Sequence, residues 1–264
     1  MHRKHPCPHC GNTRSWPVRE RGRKCRACRR EWTERAAHPV AGFRLSAKEW
    51  RAALDTFLRD GTGTALARED GIELKRAYRI VRRIQEAMAG DVPKDFSGTV
   101  EADATFLGGV WKNKRIHIRK RGTKRGRGTS KQAIFGLAQR APNLVRVFFV
   151  RAESRKETKP HITAVVSKGS RICSDECGAY LKLEKLGYTH ESVNHSKGEY
   201  VRGDVHTQTL DGFWGLLKNF LADKGGVRRG KLHHFVAEYV WRYNHRDLTR
   251  AQQVERLFAL LKEE

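Results

Sequence analysis

The chain has no long apolar run. Its longest apolar stretch, Val145–Val150, is interrupted by Arg146 and falls far short of the ~20 residues a membrane-spanning helix needs. The first twenty residues lack an apolar segment too, carrying Arg, Lys, His and two cysteines, which is not a secretory signal. Membrane-spanning and secreted classes are therefore excluded. Acidic residues are also scarce: 29 Asp and Glu stand against 54 Lys and Arg in 264 residues, a formal net charge of +25 at pH 7. That imbalance speaks of partners, and the leading one is nucleic acid, whose phosphates release counterions when Lys and Arg replace them. An anionic membrane surface would suit the same charge, but no helical segment sets a basic face against a Trp/Phe/Leu face. Wholesale disorder is excluded by 38% hydrophobic and 9% aromatic residues, enough for one or two domains with a core. Without an export signal the compartment is reducing, so disulfides are not expected.

Six cysteines are present, and their spacing carries the information. Cys7, Cys10, Cys25 and Cys28 form C-x2-C-x14-C-x2-C. Each C-x2-C can fold into a knuckle that offers two thiolates to one ion, and two knuckles complete a tetrahedral zinc site. Pro8 and Gly11 favour the first turn, and Trp16–Arg19 with Arg29–Thr33 read as short flanking strands. The expectation is a zinc ribbon over residues 1–38, with a closed, structural Zn²⁺ that folds the module. Cys173 and Cys177, in Arg-Ile-Cys-Ser-Asp-Glu-Cys, read instead as small half-buried residues, since a metal there would need partners from elsewhere.

Residues 45–92 read as three helices. Ser46 and Glu49 make an S-x-x-E capping box that opens a helix to about Arg59, with Trp50, Leu54, Phe57 and Leu58 at helical spacing. Gly61 and Gly63 break it, a short helix Thr64–Glu69 turns at Asp70-Gly71, and a third runs from about Glu73 to Met88. There Leu74, Ala77, Tyr78, Val81, Ile84 and Met88 form an apolar stripe, with Lys75, Arg76, Arg79, Arg82 and Arg83 beside it. Two helices joined by a glycine turn, the second basic, give the helix-turn-helix pattern, and those five cations are candidate DNA contacts.

From residue 97 strands and helices alternate. The pattern predicts strands at Thr99–Leu107, Gln132–Gln139, Leu144–Arg151, Arg171–Ser174 and Tyr188–Asn194. It predicts helices at Lys159–Ser167, Ala179–Leu186, Thr209–Leu221, Leu232–His245 and Ala251–Lys262. This order suits a mixed α/β sheet covered by helices over residues 97–248, with a C-terminal helix in 249–264. A basic insertion, 111–131, interrupts it with ten Lys and Arg and no acid. Lys112, Lys114, Arg115, Arg119, Lys120, Arg121, Lys124, Arg125, Arg127 and Lys131 repel one another there and await an anion, DNA in this reading.

Three acids stand out by position. Asp103 lies mid-strand among Val100, Ala102, Phe106 and Leu107, where an unpaired carboxylate is expensive. Asp175 follows the fourth strand, and Asp211 opens the helix that runs to Leu221. Cleavage of a phosphodiester by two metals needs such carboxylates to clamp Mg²⁺ ions about 3.5–4 Å apart. Asp175 and Asp211 also suit an ordinary loop and a helix N-terminus.

Several motifs in order then add a family likeness: Val-Glu-Ala-Asp103-Ala-Thr-Phe-Leu-Gly-Gly, Ser-Asp175-Glu-Cys-Gly-Ala-Tyr, Val-Asn-His195-Ser, His206-Thr-Gln-Thr-Leu-Asp211-Gly-Phe-Trp-Gly-Leu-Leu-Lys218 and Tyr-Val-Trp-Arg-Tyr-Asn-His-Arg. With the ribbon and helix-turn-helix before them, the chain resembles the DDE transposases of bacterial insertion sequences, in the zinc-ribbon-bearing group related to Merlin elements. The resemblance implies an RNase H-like α/β fold and a catalytic trio of Asp103, Asp175 and Asp211 on two Mg²⁺ ions, with Mn²⁺ a possible substitute. It implies double-stranded DNA as partner, both transposon ends and target, a homodimer or higher oligomer on that DNA, and a place at the bacterial nucleoid. Lys218, two turns after Asp211, matches a lysine of the family signature and reads as a phosphate contact; His195 and His206 read as site support or as structural residues. Two positions depart from the family: its third acid is usually Glu where this chain has Asp211, and Glu usually follows the first Asp where this chain has Ala104. Those departures keep a catalytically impaired or domesticated DNA-binding protein as the alternative, beside a nuclease of the same fold.

Overall fold

A computed structural model describes residues 6–7, 9–18, 22–33, 40, 42–108, 116–120 and 131–263, with backbone alone at 118, 195 and 263. The chain divides into two compact units, Met1–Ala87 with Leu248–Glu264, and Met88–Asp247.

The first unit opens with a three-stranded antiparallel sheet, β1 (Ser15–Val18), β2 (Gly22–Cys25) and β3 (Glu31–Thr33). Its buried apolar cluster holds little besides Cys7, Cys25 and Trp32. Helices α1 (Ala47–Asp60), α2 (Gly63–Glu69) and α3 (Leu74–Gly90) follow. The capping box forms in both directions: the Ser46 N–H donates to Glu49 Oε2 at 2.6 Å, and the Glu49 N–H donates to Ser46 Oγ at 3.2 Å. Gly61 ends α1 in the left-handed conformation, φ 66°, where a side chain would be strained. The C-terminal helix, named α8 below for its place in the chain (Arg250–Glu263), packs on α1, and Arg51 makes a bidentate pair with Glu255 at 2.6 and 2.9 Å.

One detail of α3 differs from the sequence pattern. Leu74 and Tyr78 do not join the inner stripe; they are 49% and 54% exposed, while Ala77, Ile80, Val81, Ile84 and Met88 are buried. The buried arc is centred on Ala77, Ile80 and Ile84, and at about 100° per residue Leu74 and Tyr78 fall on its outer flank.

The second unit is a five-stranded mixed sheet in the order β6-β5-β4-β7-β8: β4 Thr99–Leu107, β5 Gln132–Gln139, β6 Leu144–Val150, β7 Arg171–Asp175 and β8 Thr189–Val193. The first three strands in sequence pair antiparallel, and the later two add in parallel beside β4. This is the RNase H-like arrangement, a mixed α/β fold. Period-two alternation sorts the side chains to two faces. Val100, Ala102, Phe135, Leu137 and Ile172 pack toward α5 (Arg155–Val165), whose Ile162 and Val165 share their cluster. Leu107, Ile134 and Ala138 pack beneath α6 (Gln208–Asp223) and α7 (Leu232–Asn244).

Helix α5 begins a turn earlier than the apolar pattern indicates and runs through Pro160. The buried Thr158 hydroxyl, donating to the Ser154 carbonyl at 3.1 Å, helps tie down that added turn. Where the sequence suggests a helix over 179–186, two 3₁₀ turns form instead, Gly178–Tyr180 and Glu184–Leu186. Most of the basic insertion lies outside the described residues, and so do Lys112, Lys114, Arg115, Arg121, Lys124, Arg125 and Arg127. Within it, α4 (Ile116–Arg119) is one short turn, with Arg119 and Lys120 exposed.

Candidate functional site

Asp103 and Asp175 stand side by side because β4 and β7 run parallel in the register Ala102↔Ser174. Alternation turns Asp103 to the face covered by α6. The buried stripe of that helix, Leu210, Phe213, Trp214 and Leu217, lies on the sheet and leaves Asp211 in its exposed first turn. Trp214 Nε1 donates to Asp103 Oδ2 at 2.8 Å. The indole reaches that far because Gly136, directly across β5 from Asp103, has no side chain. A Cβ there would come within 2.5 Å of Trp214 Cζ2.

The three acids act on one another electrostatically, although their carboxylate oxygens do not all come within 4.8 Å of one another. Burial, with the charges of Asp175 and Asp211 adding to it, pushes the Asp103 carboxyl up to about 7 against the opposing Trp214 hydrogen bond. The Asp175 Oδ1 accepts the Cys177 N–H at 3.0 Å, and Thr207 Oγ1 donates to Asp211 Oδ2 at 3.3 Å. Oxygen donors of concentrated negative charge suit a hard divalent cation. Glu153, Asp175 and Cys177 do bring donor atoms within 4.8 Å of one another, and the buried Tyr180 hydroxyl donates to Glu153 Oε1 at 3.2 Å.

The raised Asp103 pKa has a thermodynamic consequence. The folded carboxyl keeps its proton to about pH 7, whereas an unfolded one loses it near pH 4. The native state therefore binds the extra proton, and stability falls as pH rises from about 4 to about 7, then levels. The metal-free chain is expected to lose Tm over that window relative to Asp103→Asn, measured by calorimetry on both proteins; parallel Tm curves would contradict this.

Sequence reasoning missed the support beneath the trio. Glu101, two residues before Asp103 and so on the same face, is fully buried. It accepts from Arg140 Nε at 2.8 Å, from Thr209 Oγ1 at 2.9 Å and from the Leu210 N–H at 3.2 Å. Arg140 in turn donates to the carbonyls of Asp204 and His206 at 2.7 and 2.9 Å, and Arg171 pairs with Asp204 and Glu191. Strand β4 thus holds the first turn of α6 through one carboxylate. The available signal was alternation alone: a Glu at an inward position of an apolar strand. His206 belongs to this clamp, its Nδ1 lying 3.1 Å from Arg140 Nη2 and 3.4 Å from Glu101 Oε1. His195 starts a 3₁₀ turn, His195–Lys197, and its side chain lies outside the described residues. Lys218 is exposed on α6, and Lys131 is exposed beside β5. On α3 Lys75, Arg79 and Arg82 are exposed and Arg76 and Arg83 half-buried.

The four N-terminal cysteines converge. Cys7 Sγ lies 3.6 Å from Cys28 Sγ and Cys10 Sγ 3.5 Å from Cys25 Sγ, all four thiols falling within 4.8 Å of one another. The two knuckles repeat one geometry: His9 N–H donates to Cys7 Sγ and Ala27 N–H to Cys25 Sγ, with the left-handed Gly11 and Arg29 at matching places. The Cys25 thiol is lowered to about 7, chiefly by the Cys28 backbone N–H, while burial and the crowding of the other three thiols raise the Cys28 thiol to about 11, so without a metal the four share few negative charges. Four sulfurs at these separations fit a tetrahedral Zn²⁺. With so small an apolar cluster among the described residues, the ribbon would depend on a bound metal, so chelation of zinc is expected to expose residues 22–33 to limited proteolysis while the β4–β8 sheet stays protected. Equal protection with and without chelator would refute it.

A five-stranded mixed sheet of this order with helices on both faces is the RNase H-like class of α/β fold. Residues 95–244, more than half of the chain, match the ISXO2-like transposase domain, and the chain belongs to that insertion-sequence transposase family. An uncharacterized protein in transposable element ISH50 of Halobacterium salinarum is 27% identical over 224 residues, covering 81% of this chain and 76% of its own length. Among solved structures, the BIV integrase catalytic core is 12% identical, covering 58% of this chain and 86% of its own, at TM-score 0.37. The HTLV-2 integrase catalytic core, in complex with magnesium, is 12% identical, covering 64% and 97%, at TM-score 0.35. No helix among the described residues is long and apolar enough to cross a membrane.

Proposed function

We propose that this chain is a DDE-type transposase that binds the terminal inverted repeats of its own element, cleaves DNA strands at the ends and joins them to target DNA. The observation that carries the reading is Asp103, a carboxyl pushed up to about 7 by burial and by Asp175 and Asp211, within a family of transposases. Asp103, Asp175 and Asp211 would hold two Mg²⁺ ions, or Mn²⁺ in their place. When bound, such ions activate water for attack on phosphorus and stabilise the departing oxygen. Trp214 fixes the Asp103 carboxylate, and Glu101 sets the start of α6, the turn that carries Asp211. Lys218, on the outer face of α6, contacts a DNA phosphate, and the ribbon with α2 and α3 recognises the ends. Hydrolysis breaks one P–O bond and frees a 3′-hydroxyl; that hydroxyl then forms a new P–O bond to target DNA as the target's own 3′ oxygen leaves. Two ends must be joined together, so a dimer or larger assembly forms on DNA, at the nucleoid in the cytoplasm.

The test is strand joining: full-length protein, Mg²⁺, short duplexes copied from the DNA flanking its gene, and a supercoiled target plasmid, with Asp175→Ala as control. Joined product that vanishes in the control supports the reading. End binding without cleavage or joining, unchanged by Asp211→Glu, replaces it with a DNA-binding protein that has lost catalysis. Cleavage without joining replaces it with a nuclease.

A further inference from the structure

Two large apolar side chains on α3 remain half exposed. Leu74 and Tyr78 lie one turn apart at the start of α3, 49% and 54% exposed, on the flank of the arc through Ala77, Ile80 and Ile84 that fills the core. Lys75, Arg79 and Arg82 share this outward side and are exposed too, Arg82 pairing with Glu86 at 2.8 Å, a surface pair that a phosphate can displace.

The face is preorganised. The Tyr78 ring rests on Gly63 at the start of α2, so closely that a Cβ there would fall 2.8 Å from Tyr78 Cδ1. The Tyr78 hydroxyl lies 3.4 Å from Thr64 Oγ1. Arg79 stacks over Phe43, 5.5 Å from the ring centroid. The first amides of α3 are already taken: Lys75 N–H and Arg76 N–H donate to the two Glu73 carboxylate oxygens, both at 2.9 Å. A carboxylate therefore already occupies the helix end, which disfavours a phosphate there.

An apolar pair bordered by cations has a specific complement. In the major groove the C5 methyl of thymine is the apolar feature among polar base edges, and phosphates line both walls. We propose that Leu74 and Tyr78 read thymine methyl groups in the major groove of the transposon ends, while Lys75, Arg79 and Arg82 engage the flanking phosphates. The inference rests on the end-binding reading above and adds the chemistry of base discrimination. Charge decides the occupant: an apolar protein partner would have no use for three cations around the pair, whereas duplex DNA uses both.

The experiment uses the full zinc-bound chain, a terminal-repeat duplex from the flanking DNA, and a scrambled duplex of equal composition. Each thymine is replaced in turn by deoxyuridine, which removes only the methyl. Wild type should lose about fourfold in affinity at each contacted thymine, the worth of one buried methyl. Leu74→Ala and Tyr78→Ala should each become insensitive at one such thymine, with affinity for scrambled DNA and its salt dependence unchanged. Because both side chains are exposed the variants should fold, and Leu74→Asn repeats the test with a residue of similar size. Preference for the end duplex without any methyl effect, or a methyl effect that survives in both alanine variants, overturns this inference alone. A wild type that binds end and scrambled duplexes equally overturns the end-binding reading along with it.

Discussion

Asp103→Asn is expected to give a chain that is more stable than wild type and inert in cleavage and joining. The two effects share one cause. Asn keeps the size of the side chain and an oxygen for Trp214 Nε1, now at 2.8 Å, but removes a charge whose ionisation the folded protein opposes up to about pH 7. At pH 8 the wild type bears that cost and the variant does not; at about 1.4 kcal/mol per pKa unit the gain is on the order of a few kcal/mol. The lost charge is also the one a divalent cation needs, so strand cleavage should drop by on the order of a thousandfold or more. Thermal unfolding at pH 8 and single-turnover cleavage of a nicked end, on the same preparations, measure both. A variant that is dead because it is less stable would place Asp103 in the packing instead of the chemistry.

Much of this architecture can be read from residue order. The alternation around Asp103 fixes a central strand, the S-x-x-E box fixes the start of α1, and the paired C-x2-C motifs fix four thiols that do converge in space. Each of these signals is local, set by spacing within one element. What escapes is set between elements. Glu101 looks like any strand glutamate until Arg140, 39 residues on, and Thr209, 108 residues on, arrive at its carboxylate. Gly136 looks like a weak spot in a strand until the Trp214 ring is seen to occupy the space of its missing side chain. Leu74 and Tyr78 fit the helical period of a core stripe, and only the position of α2 and the rest of the first unit decides that they face outward. Periodicity tells which residues share a face; packing partners tell which face is covered.

Glu101 supports the second large prediction. It is fully buried, and its Arg140 partner is only 20% exposed in its side chain. Removing one member of such a pair strands the other, typically at about 3–5 kcal/mol, so Glu101→Ala should lower stability by that order and loosen the first turn of α6. Cleavage should fall with it, because the Glu101 links to Thr209 and Leu210 are what tie Asp211 to the strand that carries Asp103. Stability and positioning can be separated by the double replacement Glu101→Leu with Arg140→Leu. It removes the stranded charge and should restore much of the stability, as apolar replacement of a buried pair often does. It does not restore the hydrogen bonds to α6. The double variant is therefore expected to melt well above Glu101→Ala yet cleave on the order of tenfold to a hundredfold more slowly than wild type, a loss typical when a supporting residue around a metal site is removed, with affinity for the end duplex unchanged. If cleavage returns together with stability, Glu101 and Arg140 serve only the fold, and Asp211 is held by the packing of Leu210, Phe213 and Trp214 on the sheet.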